Sequence, residues 1–74
     1  MQESEIKEVL AAAFPDAEMR LQDLTGGGDH WRLVISSSAF RDRTMLQQHQ
    51  LVYQALGDLM KAKIHALSLD TVVK

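Results

Sequence analysis

The chain of 74 residues contains no cysteine and a single proline. Without cysteine there is no disulfide staple, no thiolate nucleophile and no thiolate metal ligand. Any metal held here would rely on His, Asp, Glu or a partner's sulfur. Aromatic residues are few: Phe14, Trp31, Phe40 and Tyr53. With 46% apolar composition, the core must therefore be mainly aliphatic. No apolar run is long enough for a membrane span, and the opening Met1-Gln2-Glu3-Ser4-Glu5 is acidic where a targeting signal would be basic. The cytoplasm is the expected location, with no membrane partner. A basic surplus is also missing, since eight Lys and Arg face ten Asp and Glu for a formal charge of −2. That balance weighs against nucleic acid as the main partner. With no internal repeat and so little length, residues 1–74 read as one domain.

What is present is a clear succession of periodicities. Ile6, Val9, Leu10, Ala13 and Phe14 line one helical face after Ser4, the expected N-cap, and Pro15-Asp16 stops the helix. Ala17, Met19 and Leu21 then alternate with polar residues, predicting a strand that ends near Leu24. Thr25-Gly26-Gly27-Gly28-Asp29 is a turn, and Trp31 to Ser36 a second strand, so the two form a hairpin. Phe40 anchors a short turn. One long helix is expected to follow through Met60, with Met45, His49, Val52, Leu56 and Leu59 on its buried stripe and Lys61-Ala62-Lys63 closing it. Ile64 to Asp70 is the last strand, parallel to the second because a helix separates them. The order α-β-β-α-β predicts an α+β two-layer sandwich, a three-stranded mixed sheet with its helices on one face.

That topology has a consequence for the histidines. His30 opens the second strand and His65 the third, so parallel neighbours would bring both imidazoles to one edge of the sheet, close enough to share a metal centre. Two nitrogens alone make an incomplete site. The plainer alternative is a polar loop residue at His30 and a half-buried strand residue at His65. His49 falls in phase with Val52 and Leu56 and reads as a hydrogen-bonded structural histidine. The glycine run lacks the Lys-Ser/Thr of a phosphate loop and leads into a strand, and no Ser or Thr has a recognisable base. Nothing in the sequence supports catalysis.

From Gly28 to Asp70 the chain resembles the BolA-like family. The resemblance lies in a loop ending in His30, Phe40 before a turn, Leu46-Gln47-Gln48-His49-Gln50-Leu51-Val52, Ala55-Leu56 and Ile64-His65-Ala66-Leu67. It implies a fold like the second class of KH domain and a non-enzymatic partner of monothiol glutaredoxins. Such a pair shares a bridging 2Fe-2S cluster, with glutathione also a ligand and none of it held by the isolated chain. The resemblance assigns His65 and His30 as metal ligands and places Gly28, Asp29, Trp31, His49 and Ala66 at the partner surface. A weak homodimer is also compatible with it. Two departures stand out: Gln48 precedes His49 where many members have a basic residue, and Arg41-Asp42-Arg43 follows Phe40 where a glycine is common. The alternative is a KH-like DNA-binding regulator using Arg41, Arg43, Lys61 and Lys63 on phosphates, although no GxxG clamp is present.

Overall fold

The computed structural model describes residues 2–74. Its elements run α1 (Glu3–Ala13), β1 (Glu18–Asp23), β2 (His30–Ser37), a 3-10 turn (Ser38–Phe40), α2 (Met45–Leu56), α3 (Asp58–Ala62) and β3 (Ala66–Val73). The expected order is present, with the second helix divided in two.

The start of α1 differs from expectation. Ser4 lies within the first turn, and Gln2 is the N-cap, its amide donating to the Glu5 carboxylate at 3.4 Å. A carboxylate three residues beyond the cap can reach back to an amide that the helix leaves free, a role a serine in the first turn does not fill. Ile6 and Leu10 are buried, and Phe14 ends the helix before Pro15.

β1 and β2 form the hairpin, antiparallel from Glu18↔Ser36 to Asp23↔Trp31. β2 pairs with β3 in parallel from His30↔Ala66 to Ser37↔Val73, which leaves β2 central in the order β1-β2-β3. Along β2 the odd positions Trp31, Leu33, Ile35 and Ser37 are buried, while Arg32 is exposed and Val34 and Ser36 half-buried. That period of two sends one side chain in two toward the helices. Ile6, Leu10, Phe14, Phe40, Val52, Leu56 and Ile64 complete the same core, so α1 and α2 share one face of the sheet. The Phe14 and Phe40 rings meet at 5.4 Å and 50°, a tilted contact that favours their quadrupoles.

Three expectations fail from Met45 onward. The single long helix is interrupted at Gly57, where φ is +50° and ψ −122°, a conformation open to glycine and costly for other residues. The buried stripe is also rotated: Gln48, Val52 and Leu56 face inward, while Met45 is 59% exposed. Gln48 can replace an apolar residue because its amide is fully engaged. Nε2 donates to the carbonyls of Phe40 at 3.3 Å and Arg43 at 3.0 Å, and Oε1 accepts from Thr71 Oγ1 at 2.5 Å. The last strand begins at Ala66 and continues to Val73, later at both ends than expected. Ile64 is instead a buried closing residue whose amide donates to Leu59 O at 2.9 Å. Thr71, Val72 and Val73 pair with the end of β2.

Candidate metal centre

The loop between β1 and β2 is built around Asp23. Its carboxylate accepts from the amides of Gly26 at 2.9 Å, Gly28 at 3.0 Å and Thr25 at 3.3 Å. A short acidic side chain at the end of a strand can gather the free amides of a turn in this way. Gly28 takes φ +76°, and its carbonyl accepts the Trp31 indole N–H at 3.0 Å. The glycine loop is thus pinned at both ends and delivers His30 to a fixed place at the start of β2.

His65 arrives beside it through the parallel register. His30 is opposite Ala66, and the His65 amide donates to Asp29 O at 2.8 Å. The two imidazoles lie nearly parallel, with centroids 6.1 Å apart and planes 19° apart. The His30 side chain is 42% exposed and His65 is exposed, so the pair stands open at the edge of the sheet. His30 Nδ1 lies 3.1 Å from Asp29 Oδ1, and Thr25 Oγ1 donates to the same oxygen at 3.2 Å. The His30 contact, with Thr25 behind it, holds the Asp29 carboxyl below its ordinary range.

The donor set decides what this edge could hold. Among the described residues no group of three or more His, Cys, Asp or Glu is placed to bind a metal ion. Two imidazoles are too few for a metal held by this chain alone, and they suit a metal group whose other ligands come from a partner. A hollow of about 300 Å³ exists elsewhere, on the open face of the sheet among Arg20, Leu21, Gln22, Arg32 and Val34. It does not include the histidines.

The other sequence-derived candidates are scattered. Gly28 and Asp29 belong to the loop that carries His30, and Ala66 sits opposite His30. Trp31 is only 3% exposed, because its position in β2 turns it toward the helices, so it anchors the loop rather than offering its ring to a partner. His49 is half-buried on α2, and its Nε2 is buried without a hydrogen-bond partner among the described residues. The expected structural hydrogen bond is therefore missing at that nitrogen. Of the four basic candidates, Arg41 donates to Lys74 O at 2.9 Å, Arg43 to Ala39 O at 3.0 Å, and Lys63 pairs with Glu5 at 3.3 Å. Arg41 reaches Lys74 beyond the end of β3, whereas Lys61 and Lys63 precede the start of that eight-residue strand, so the two pairs lie toward its opposite ends. Asp23 is not marked by the sequence reading, although an Asp two residues before Thr25-Gly26-Gly27-Gly28 was an available signal, and Gln48 is marked there only as a departure from the family pattern, not as a buried residue.

A small α+β domain with two imidazoles at the entry of its parallel strand pair is the class these features define. The family model described as BolA-like protein matches residues 4–74, and the chain belongs to the BolA-like family. It is 34% identical over 68 residues to the uncharacterized protein RP812 of Rickettsia prowazekii, covering 92% of this chain and 88% of that one. It is 29% identical over 73 residues to the DNA-binding transcriptional regulator BolA of Escherichia coli, covering 89% of this chain and 70% of that one. Among solved structures, the BolA domain of SufE1 from Arabidopsis thaliana superposes with a TM-score of 0.88 over 99% of this chain and 94% of that one, at 27% identity. No helix among the described residues is long and apolar enough to cross a membrane.

Proposed function

We propose that the chain is a non-enzymatic adaptor that pairs with a monothiol glutaredoxin and shares a bridging 2Fe-2S cluster with it, in iron–sulfur cluster handling or iron sensing. The observation that carries this reading is the His30–His65 pair, its rings nearly parallel and open at the sheet edge, which among the described residues belongs to no group of three or more His, Cys, Asp or Glu placed to bind a metal ion. Within the reading, this chain contributes the two imidazoles, and the glutaredoxin and its glutathione contribute the thiolates that a cysteine-free chain lacks. Bound between them, the cluster would supply one-electron redox chemistry. The Asp23-centred loop holds His30 in place before the partner arrives, and the open edge leaves both rings within reach of a docking surface.

The name of the Escherichia coli relative favours a second reading, DNA binding through Arg41, Arg43, Lys61 and Lys63. The net charge and the separate, internally bonded positions of three of those side chains argue against it.

Anaerobic reconstitution with a glutathione-loaded monothiol glutaredoxin tests the proposal. Visible absorption and circular dichroism of the mixture are expected to differ from those of the glutaredoxin alone. Identical spectra overturn it, and salt-dependent binding to duplex DNA in the same preparation would support the second reading.

A further inference from the structure

Asp29 contacts both histidines from one residue. Its Oδ1 lies 3.1 Å from His30 Nδ1, and its backbone carbonyl accepts from the His65 amide at 2.8 Å and from Ala66 at 3.3 Å. Thr25 Oγ1, 3.2 Å from the same Oδ1, braces the carboxylate against the loop. An ionised carboxylate can only accept, so the ring nitrogen facing it must carry the proton. In a neutral imidazole that leaves the other nitrogen, Nε2, as the lone pair.

We infer that Asp29 is the positioning residue of this site: its carboxylate selects the Nδ1–H tautomer of His30 and so makes Nε2 the nitrogen offered to iron, while its carbonyl fixes where His65 enters β3. The inference rests on the reading of His30 and His65 as ligands. A carboxylate behind a ligating imidazole sets the orientation of the ring and raises its basicity, which strengthens the metal bond. Asp29 touches no metal itself; it acts through His30. The two halves of its role are separable by mutation, because replacing the side chain leaves the carbonyl that receives His65.

The first test needs no cluster. Long-range proton–nitrogen correlation spectra of the isolated chain, at a pH where the imidazoles are neutral, report the tautomer of His30 directly. The wild type is expected to show Nδ1–H. Asp29→Ala is expected to move it toward Nε2–H, the form a free histidine side chain favours in water, and Asp29→Asn, which keeps a neutral acceptor, to restore Nδ1–H. An Nε2–H signature in the wild type, or an unchanged one in Asp29→Ala, overturns the inference. The second test uses the glutaredoxin complex, where Asp29→Ala should weaken retention of the cluster against a chelator by about 10- to 100-fold. Equal retention overturns the inference as well. A wild-type mixture that forms no shared cluster overturns the cluster reading instead, and the tautomer spectra still decide whether Asp29 controls His30.

Discussion

Gln48 is a primary amide in a position that helical periodicity reserves for an apolar side chain, and its three hydrogen bonds explain why it is tolerated there. Replacing it by leucine would leave the Phe40 and Arg43 carbonyls and the Thr71 hydroxyl without their partner in a largely dry site. Gln48→Leu should therefore lower stability by about 1–3 kcal/mol in urea titration, despite its greater hydrophobicity. Asp16 makes a second prediction at this scale. Its carboxylate accepts from the Ser38 amide at 2.9 Å and from the buried Ser37 hydroxyl at 2.7 Å, and the Ser38 side chain, then the Ser37 hydroxyl and the Ser38 amide, hold its pKa well below the usual carboxylate range. A carboxyl depressed in the folded state stabilises fully above its unfolded value of about 4 and loses that contribution as pH falls through the folded value. Urea midpoints of wild type and Asp16→Ala should differ at neutral pH and converge in strong acid; a gap unchanged by pH would refute the assignment. The histidine pair was legible from sequence because register and topology alone bring His30 and His65 together. Gln48, Asp16 and Asp23 were not, because each depends on backbone groups brought close only by the fold.

At the scale of elements, Gly57 decides the shape of the region between β2 and β3. The break there allows Ile64 to turn into the core and close against Leu59, which sets the chain up to enter β3 with His65 beside Asp29. A Cβ at Gly57 would meet only Gln54 O at 3.6 Å, an ordinary contact, so the obstacle to substitution is the backbone conformation itself. Gly57→Ala is expected to cost about 1–3 kcal/mol in chemical denaturation. A fully neutral substitution would mean that α2 and α3 can run as one helix without penalty, as periodicity alone suggested. The sequence marked the strands through alternation and the first helix through its stripe, yet hid this break because helix formers flank a lone glycine on both sides. It also hid the true span of β3, since Thr71-Val72-Val73 shows no alternation of its own, and pairing with Ile35 to Ser37 defines it.

For the whole molecule, the radius of gyration of 11.5 Å is close to the roughly 11 Å expected of a collapsed domain of this length. Leu33 is fully buried in the central strand, and Leu33→Ala should remove about 2–5 kcal/mol, enough to unfold much of a domain of this size at moderate denaturant. That makes stability a necessary control for any loss of partner binding. If His30 and His65 both bind the proposed cluster, nitrogen hyperfine spectroscopy detects both nitrogens. The chain is labelled with nitrogen-15 in its histidines, mixed with unlabelled glutaredoxin and glutathione, reconstituted and reduced. Two strongly coupled nitrogen-15 signals are expected, falling to one in His30→Ala and in His65→Ala. A reduced cluster in the mixture with no nitrogen-15 coupling would contradict the account.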